Sequence, residues 1–267
     1  MLRGGALARK IGFVSGKGGV GKTFVCSTLA NFIAWRSYKV VVIDLNFGLN
    51  NVDLIFNLEK KIKFDLFDVI YNNCNVMQSI VQDNKNSHLY IISSNRVKID
   101  VDINDLKKVI SSMENLFDYI LIDFASGAQK NVLLPVKLMD EIIVVVSQNL
   151  ASIRDASKLK AVFSDMKINN VKCIVNNVRG DLILSKRLLS IEEIYKLLNI
   201  KIIGAIPNYE KVNTIDVHKI YETHNNLNRA FSLICDNLIN NTARIFDCTK
   251  EFKGIKGCLK KYIRRIF

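Results

Sequence analysis

Proline is scarce, with two residues (Pro135 and Pro207) in a chain of 267, and glycine contributes only 13. Together with 49% apolar residues this excludes the composition of a disordered or low-complexity chain. Long hydrophobic runs are also missing: none approaches the roughly 18 residues of a membrane-spanning helix. The six cysteines (Cys26, Cys74, Cys173, Cys235, Cys248, Cys258) are scattered and none forms a C-x-x-C pair, so they read as reduced structural thiols rather than a disulfide framework. The basic start, Met1 to Lys10, is followed by an apolar stretch that Gly12 interrupts, which argues against a cleaved signal peptide. No linker divides the chain, and its length suits a single α/β domain with a sizeable core.

What the chain does have is a glycine loop between two apolar segments. Gly16-Lys17-Gly18-Gly19-Val20-Gly21-Lys22-Thr23 lies after the strand-like run Ile11 to Val14 and before the helix-like run Phe24 to Arg36. The spacing fits G-x-x-x-x-G-K-[ST], in which backbone amides cradle phosphates, the lysine reaches the terminal ones and the hydroxyl helps bind magnesium. Gly16, Gly18 and Gly21 also spell G-x-G-x-x-G, and Asp44 follows at about the distance a dinucleotide fold requires. Lys22-Thr23 decides for the phosphate loop, because a dinucleotide turn calls for no cation and hydroxyl in succession.

Further apolar runs recur at Val40 to Ile43, Leu89 to Ile92, Tyr119 to Ile122, Ile142 to Val146, Val171 to Val175 and Lys201 to Ile206. They are apolar on both faces and alternate with amphipathic segments at Ile103 to Met113, Ser152 to Met166, Ser190 to Leu198 and Asn225 to Ile239. This predicts an α/β fold with a mainly parallel, doubly wound sheet of about seven strands flanked by helices. Ligands of such sheets sit at the carboxyl ends of strands, which singles out Asp44, Asp123, Asn176 and Asn177. Asp123 closes Phe117-Asp118-Tyr119-Ile120-Leu121-Ile122, the form of a Walker B strand whose acid holds magnesium beside Thr23. His88, His218 and His224 fall outside the strand ends and read as surface or packing residues.

The net charge of +13 is unevenly spread. Residues 250–267 hold seven basic residues (Lys250, Lys253, Lys256, Lys260, Lys261, Arg264, Arg265) against Glu251 alone. On a wheel of about 100° per residue, Phe252, Ile255, Leu259, Tyr262, Ile263, Ile266 and Phe267 fall in an arc of about 140°. Lys253, Lys260, Lys261, Arg264 and Arg265 occupy the other side. A basic amphipathic helix with bulky apolar residues is suited to lie in a membrane interface, where each basic residue near an anionic leaflet adds about 1 kcal/mol. A docked terminal helix is the competing reading, against which stand the excess of charge and the two helix-weakening glycines, Gly254 and Gly257. Nucleic-acid binding does not account for the seven apolar residues.

With these residues in view, the chain resembles the deviant Walker A ATPases, and within them the MinD type, whose relatives include the ParA/Soj partition proteins and the flagellar-number regulator FlhG. The resemblance rests on Lys17, a second lysine early in the loop, and on segments spanning nearly the whole chain. These are Val41-Val42-Ile43-Asp44 with Gly48-Leu49-Asn50-Asn51-Val52-Asp53-Leu54, Ser152-Ile153-Arg154-Asp155, Leu189-Ser190-Ile191-Glu192-Glu193-Ile194, and Ile203-Gly204-Ala205-Ile206-Pro207. It implies a P-loop NTPase domain over residues 1–248 and a membrane-targeting helix over 249–267.

The resemblance also implies ATP and Mg2+ as cofactors, with Gly16 through Thr23 and Phe24 around the phosphates. Lys17 would reach the phosphates of a partner subunit in an ATP-bound homodimer. Asn176 would read the adenine beside Pro207, and Lys17, Lys22 and Asp44 would serve hydrolysis, Asp44 by orienting the attacking water. Thr23, Asp44 and Asp123 would hold the metal. Ser152, Arg154 and Asp155 would contact partners, a MinC-like inhibitor and a MinE-like or other topological regulator. The expected role is positioning the bacterial division septum from the cytoplasm, on the inner face of the cell membrane. An FlhG-like role, a nucleotide-binding scaffold with weak hydrolysis, and ParA-like DNA partition are the alternatives.

Three departures stand out. Asn46 replaces the usual second aspartate two residues after Asp44, Asn50 replaces a usual arginine, and Phe124-Ala125-Ser126-Gly127 lacks the usual proline. An amide at position 46 is expected to slow turnover without preventing binding.

Overall fold

The computed structural model describes residues 7–47, 51–94, 101–129, 133–209, 216–254 and 257. In chain order they form β1 (Arg9–Val14), α1 (Lys22–Ala34), β2 (Val40–Leu45), α2 (Asn51–Phe56), α3 (Leu66–Ile70) and α4 (Val76–Ser79). There follow β3 (Val81–Gln82), β4 (Leu89–Ile92), α5 (Ile103–Met113), β5 (Tyr119–Phe124), β6 (Glu141–Ser147) and α6 (Leu150–Asp165). The chain continues through β7 (Val171–Val178), α7 (Gly180–Leu184), α8 (Ile191–Leu198), β8 (Lys201–Pro207), α9 (Val217–Glu222) and α10 (Asn226–Ile239).

The strands form one eight-stranded sheet in the order β3-β4-β2-β5-β1-β6-β7-β8, parallel except for β3, which runs antiparallel to β4. All seven expected strands are present. The eighth, β3, spans two residues, too few to show a periodic pattern.

Successive strand side chains point to opposite faces, so one run feeds two cores. Val41, Ile43, Ile120 and Ile122 enter the layer shared with α5, α6 and α8. Val40, Val42, Tyr119 and Leu121 enter the layer shared with α1, α9 and α10. Every residue of β2 and of β5 is buried, which is why these strands read as unbroken apolar runs ending in an acid.

The position of β1 places the site. It pairs with β5 on one side and β6 on the other, and the chain works outward on the first side before crossing to the second. The turn after β1 therefore opens at the switch in strand order, where the carboxyl ends of flanking strands diverge.

Asn149, Ser190 and Asn225 accept N–H bonds at the starts of α6, α8 and α10, and Ser190 completes a capping box with Glu193. Among the described residues five cysteines are free thiols. His218 packs in the interior against Phe56 and Asp83.

The C-terminal segment departs from expectation. Residues Lys250–Phe252 form a 3-10 turn, and Phe252 is 1% exposed. This corrects the reading of Phe252 as a lipid-facing residue and moves the start of any free tail beyond position 252, since a phenylalanine gains more from the protein core than it retains in water. The expected membrane residues Ile255, Leu259, Lys260, Lys261, Tyr262, Ile263, Arg264, Arg265, Ile266 and Phe267 lie outside the described residues. Among the described residues no helix is long and apolar enough to cross a membrane.

Candidate nucleotide site

The loop from Gly16 to Gly21 wraps the end of β1 and delivers Gly21 as the N-cap of α1 with φ 85°. Gly19 is also left-handed at φ 79°, and these two positions are where the loop needs glycine. A side chain on Gly21 would in addition lie 2.3 Å from Nδ2 of Asn176. Gly16 is fixed by contact rather than by angle: a Cβ there would come within 2.6 Å of the Asp155 backbone.

The two lysines of the loop face opposite environments. Lys22 is 5% exposed and Lys17 is exposed. Lys22 Nζ donates to Asp123 Oδ1 at 2.5 Å, and Thr23 Oγ1 donates to Asp123 Oδ2 at 2.6 Å. Asp44 stands beside Asp123 because β2 and β5 pair in parallel with these two residues as partners. Both carboxylates are fully buried. Burial first, and the charge of Asp123 second, raise the Asp44 pKa to about 6. The backbone N–H groups of Asn46 and Val52 donate to its two oxygens and oppose that rise.

This group of hard oxygens, Thr23 Oγ1 and two carboxylates, fits a magnesium ion that keeps waters and takes the rest of its shell from phosphate. Among the described residues no cluster of three or more His, Cys, Asp or Glu could form an all-protein metal site. The donor set therefore suits a metal brought with a phosphate ligand rather than a resident one.

Beyond the loop lies a pocket of about 270 Å³, walled by Gly21, Phe24, Asn176, Pro207, Tyr209 and Leu227. Asn176 is 4% exposed and its Nδ2 donates to Val20 O at 2.9 Å, so the expected base reader is tied to the phosphate loop. Phe24 meets Phe231 edge to face at 5.9 Å. The structure thus gathers Gly16 through Phe24, Asp44, Asp123, Asn176 and Pro207 at one end of the sheet.

Sequence reasoning missed other parts of this surface. Tyr209 and Leu227 wall the pocket from the turn after β8 and from α10. Ser15 bonds Lys17 O and Ser126 Oγ, both at 3.0 Å, and accepts Gly127 N–H on its carbonyl, pinning the loop to the segment after β5. Small polar residues without a spaced motif carry no signal for such pairing. Strand-end position alone was the clue available for Ser15.

The expected partner residues divide. Arg154 is exposed on α6, and Asp155 is partly exposed and pairs with Lys158. Ser152 is 3% exposed, and its hydroxyl accepts Ser147 N–H at 3.0 Å. Its reading as a partner contact is corrected: the side chain is spent inside the turn that starts α6. Asn50 lies outside the described residues.

Comparison with known proteins agrees with this geometry. Residues 11–220 match the family described as CobQ/CobB/MinD/ParA nucleotide binding domain. The septum site-determining protein MinD of Helicobacter pylori is 34% identical over 75% of this chain and 78% of its own. That of Buchnera aphidicola is 29% identical over 98% and 99%. The MinC:MinD cell division complex of Aquifex aeolicus superposes with a TM-score of 0.82 at 28% identity, covering 89% of this chain and 98% of the other. With the deviant loop, its buried acid pair and these likenesses in agreement, the chain belongs to the CobQ/CobB/MinD/ParA nucleotide-binding family, as a member of its MinD type.

Proposed function

We propose that the chain is an ATP-driven switch that helps position the division septum and that cycles between a free form and a membrane-attached dimer. The observation that carries this reading is the opposite exposure of the two loop lysines. Lys22, buried, serves the chain's own phosphates. Lys17, exposed, would serve those of a second copy.

The chain is an ATP hydrolase, and phosphoryl transfer needs positioning and charge neutralisation more than covalent chemistry. Lys22 leaves Asp123 for the terminal phosphates, and the loop amides cradle them. Thr23, Asp44 and Asp123 are the residues that would hold magnesium, which supplies neutralisation of the charge developing on the phosphate oxygens. Asp44 orients the attacking water. Asn176, Pro207 and Phe24 receive the base.

Dimerisation is the step that couples nucleotide to membrane. One short basic amphipathic helix binds an anionic surface weakly; two on one dimer bind by avidity, because the second engagement is intramolecular. The basic, apolar tail after Phe252 would supply that helix. Its partner is a MinC-type inhibitor, received on the side of α6 that exposes Arg154.

Co-sedimentation with anionic liposomes tests the reading. ATP is expected to raise the bound fraction severalfold over ADP, and removal of residues 255–267 to abolish the gain. Binding indifferent to ATP would overturn it.

Asn46 favours a second reading, a holder of nucleotide with little turnover. Its backbone N–H orients Asp44 without adding a second carboxylate. Phosphate release near background with liposomes and a stimulating partner would support that reading.

A further inference from the structure

We propose that the root of the C-terminal tail, residues 247–252, senses the nucleotide base: it is fastened next to both walls of the base pocket, at Gly180 and at Asn226, so the base, rather than the phosphates, sets how firmly the root is held. This deepens the nucleotide-binding reading above and rests on it.

The first fastening is to the strand-end wall. Asn176 and Asn177 line the pocket at the end of β7, and α7 begins at Gly180. There the backbone of the root lies so close that a Cβ on Gly180 would stand 1.9 Å from the Cys248 carbonyl oxygen and 2.6 Å from its carbon. Cys248 itself is 5% exposed. No layer of side chains cushions this contact.

The second fastening is to the helical wall. Leu227, in the first turn of α10, lines the base pocket. Its neighbour Asn226 turns to the other side of the helix, where Nδ2 donates to Glu251 Oε2 at 3.1 Å. One helical turn thus lines the base pocket with one residue and holds the tail root with the one before it.

Between these fastenings the root has little slack. Asp247 accepts from Thr249 N and Thr249 Oγ1 and pairs with Lys253, closing the turn. Phe252 plugs the interior below it, and a side chain on Gly257 would lie 2.3 Å from the Phe252 carbonyl carbon. Close-packed contacts transmit small displacements instead of absorbing them. A base that draws the β7 end and α10 together therefore tightens the turn at the same time. Phosphates held at Lys22 and Thr23 would act first on α1, which meets α10 at Phe24 and Phe231, one turn beyond the residues Asn226 and Leu227 that join the pocket to the root.

Hydrogen exchange reads this directly, because Lys250 N–H bonds Asp247 O and Phe252 N–H bonds Thr249 O. The full chain is compared alone, with Mg-ADP and with Mg-pyrophosphate, binding of each being measured by calorimetry. ADP carries the base without driving dimerisation. It is expected to slow exchange in residues 249–253 about fivefold, and pyrophosphate to leave it within twofold of the free protein. Equal protection by both, or none from ADP that binds, overturns the proposal while leaving nucleotide binding intact. Failure of ADP to bind at all overturns the nucleotide reading and the proposal with it. Asn226→Ala is expected to keep ADP affinity within about twofold yet lose the protection. Glu251→Gln, which retains an acceptor oxygen, keeps the protection, and Glu251→Ala loses it; protection surviving in both alanine variants counts against the relay.

Discussion

Lys22 Nζ stands 2.5 Å from Asp123 Oδ1, in a place where neither group is more than 5% exposed. With the Thr23 hydroxyl on the other oxygen of the same carboxylate, one acid holds both chemical arms of the phosphate loop. Asp44 on the neighbouring strand adds a second buried acid, so Lys22 is the single cation in hydrogen-bond contact with the pair among the described residues.

Removing that cation is costly. Lys22→Ala leaves two adjacent carboxylates buried without their partner, and breaking a buried pair costs about 3–5 kcal/mol. Urea unfolding is expected to show a loss near that range, together with loss of fluorescent ATP-analogue binding. An unchanged midpoint would mean that water or rearrangement replaces the ammonium.

Asp44 makes stability depend on pH with a definite sign. Its folded pKa, about 6, is above the ordinary carboxylate value of 3.8, so its protonated form favours the native state. The contribution is fully present below the unfolded pKa and is lost as pH rises through the folded one, a change of up to about 3 kcal/mol across that window. Nucleotide-free protein is expected to lose stability between about pH 4 and 6 from this group, and Asp44→Asn to remove that slope while abolishing hydrolysis. Unfolding curves at several pH values check both.

Gly21→Ala meets a left-handed backbone and the amide of Asn176 at once. Such backbone strain costs about 1–3 kcal/mol, and displacing Asn176 disturbs the base pocket as well. Nucleotide binding is expected to fall more than tenfold, by calorimetry.

Two truncations separate the tail from its root. Deleting residues 255–267 is expected to spare thermal stability and hydrolysis while removing liposome binding. Deleting 250–267 also removes Phe252, and losing a buried phenylalanine costs about 3–5 kcal/mol. A matching Tm in the two deletions would show that Phe252 contributes little.

Asn46→Asp restores a carboxylate beside Asp44. Phosphate release in the presence of liposomes and a stimulating partner is expected to rise severalfold, and an unchanged rate would remove position 46 from the control of turnover.

Local patterns account for what the sequence made legible. Lys22, Asp44 and Asp123 were visible because buried parallel strands write themselves as solid apolar runs and the sheet puts ligands at their ends. Tyr209, Leu227 and the Asn226–Glu251 bond were not, since each depends on which distant elements become neighbours. Gly257 read as a weak helix residue; its reason is the Phe252 carbonyl it lies against, which only the folded turn reveals. The helical wheel groups Phe252 with the apolar residues of the tail, yet it goes inside at the end of a 3-10 turn, because periodicity states which residues could share a face and not what that face meets.

The sheet order has a consequence in time. Lys22 finds its acid 101 residues later in the chain, and Val20 finds Asn176 after 156. Ser15 meets Ser126 after 111. During synthesis the glycine loop emerges before all three anchors, and it waits for each of them in turn while β1 waits for both of its neighbours. Long-range pairings of this kind form slowly, since the intervening loop must close first. A ribosome-bound chain ending before Asp123 carries the whole loop motif and none of its supports, so nucleotide cannot template the fold from the amino end; it can only select chains already complete.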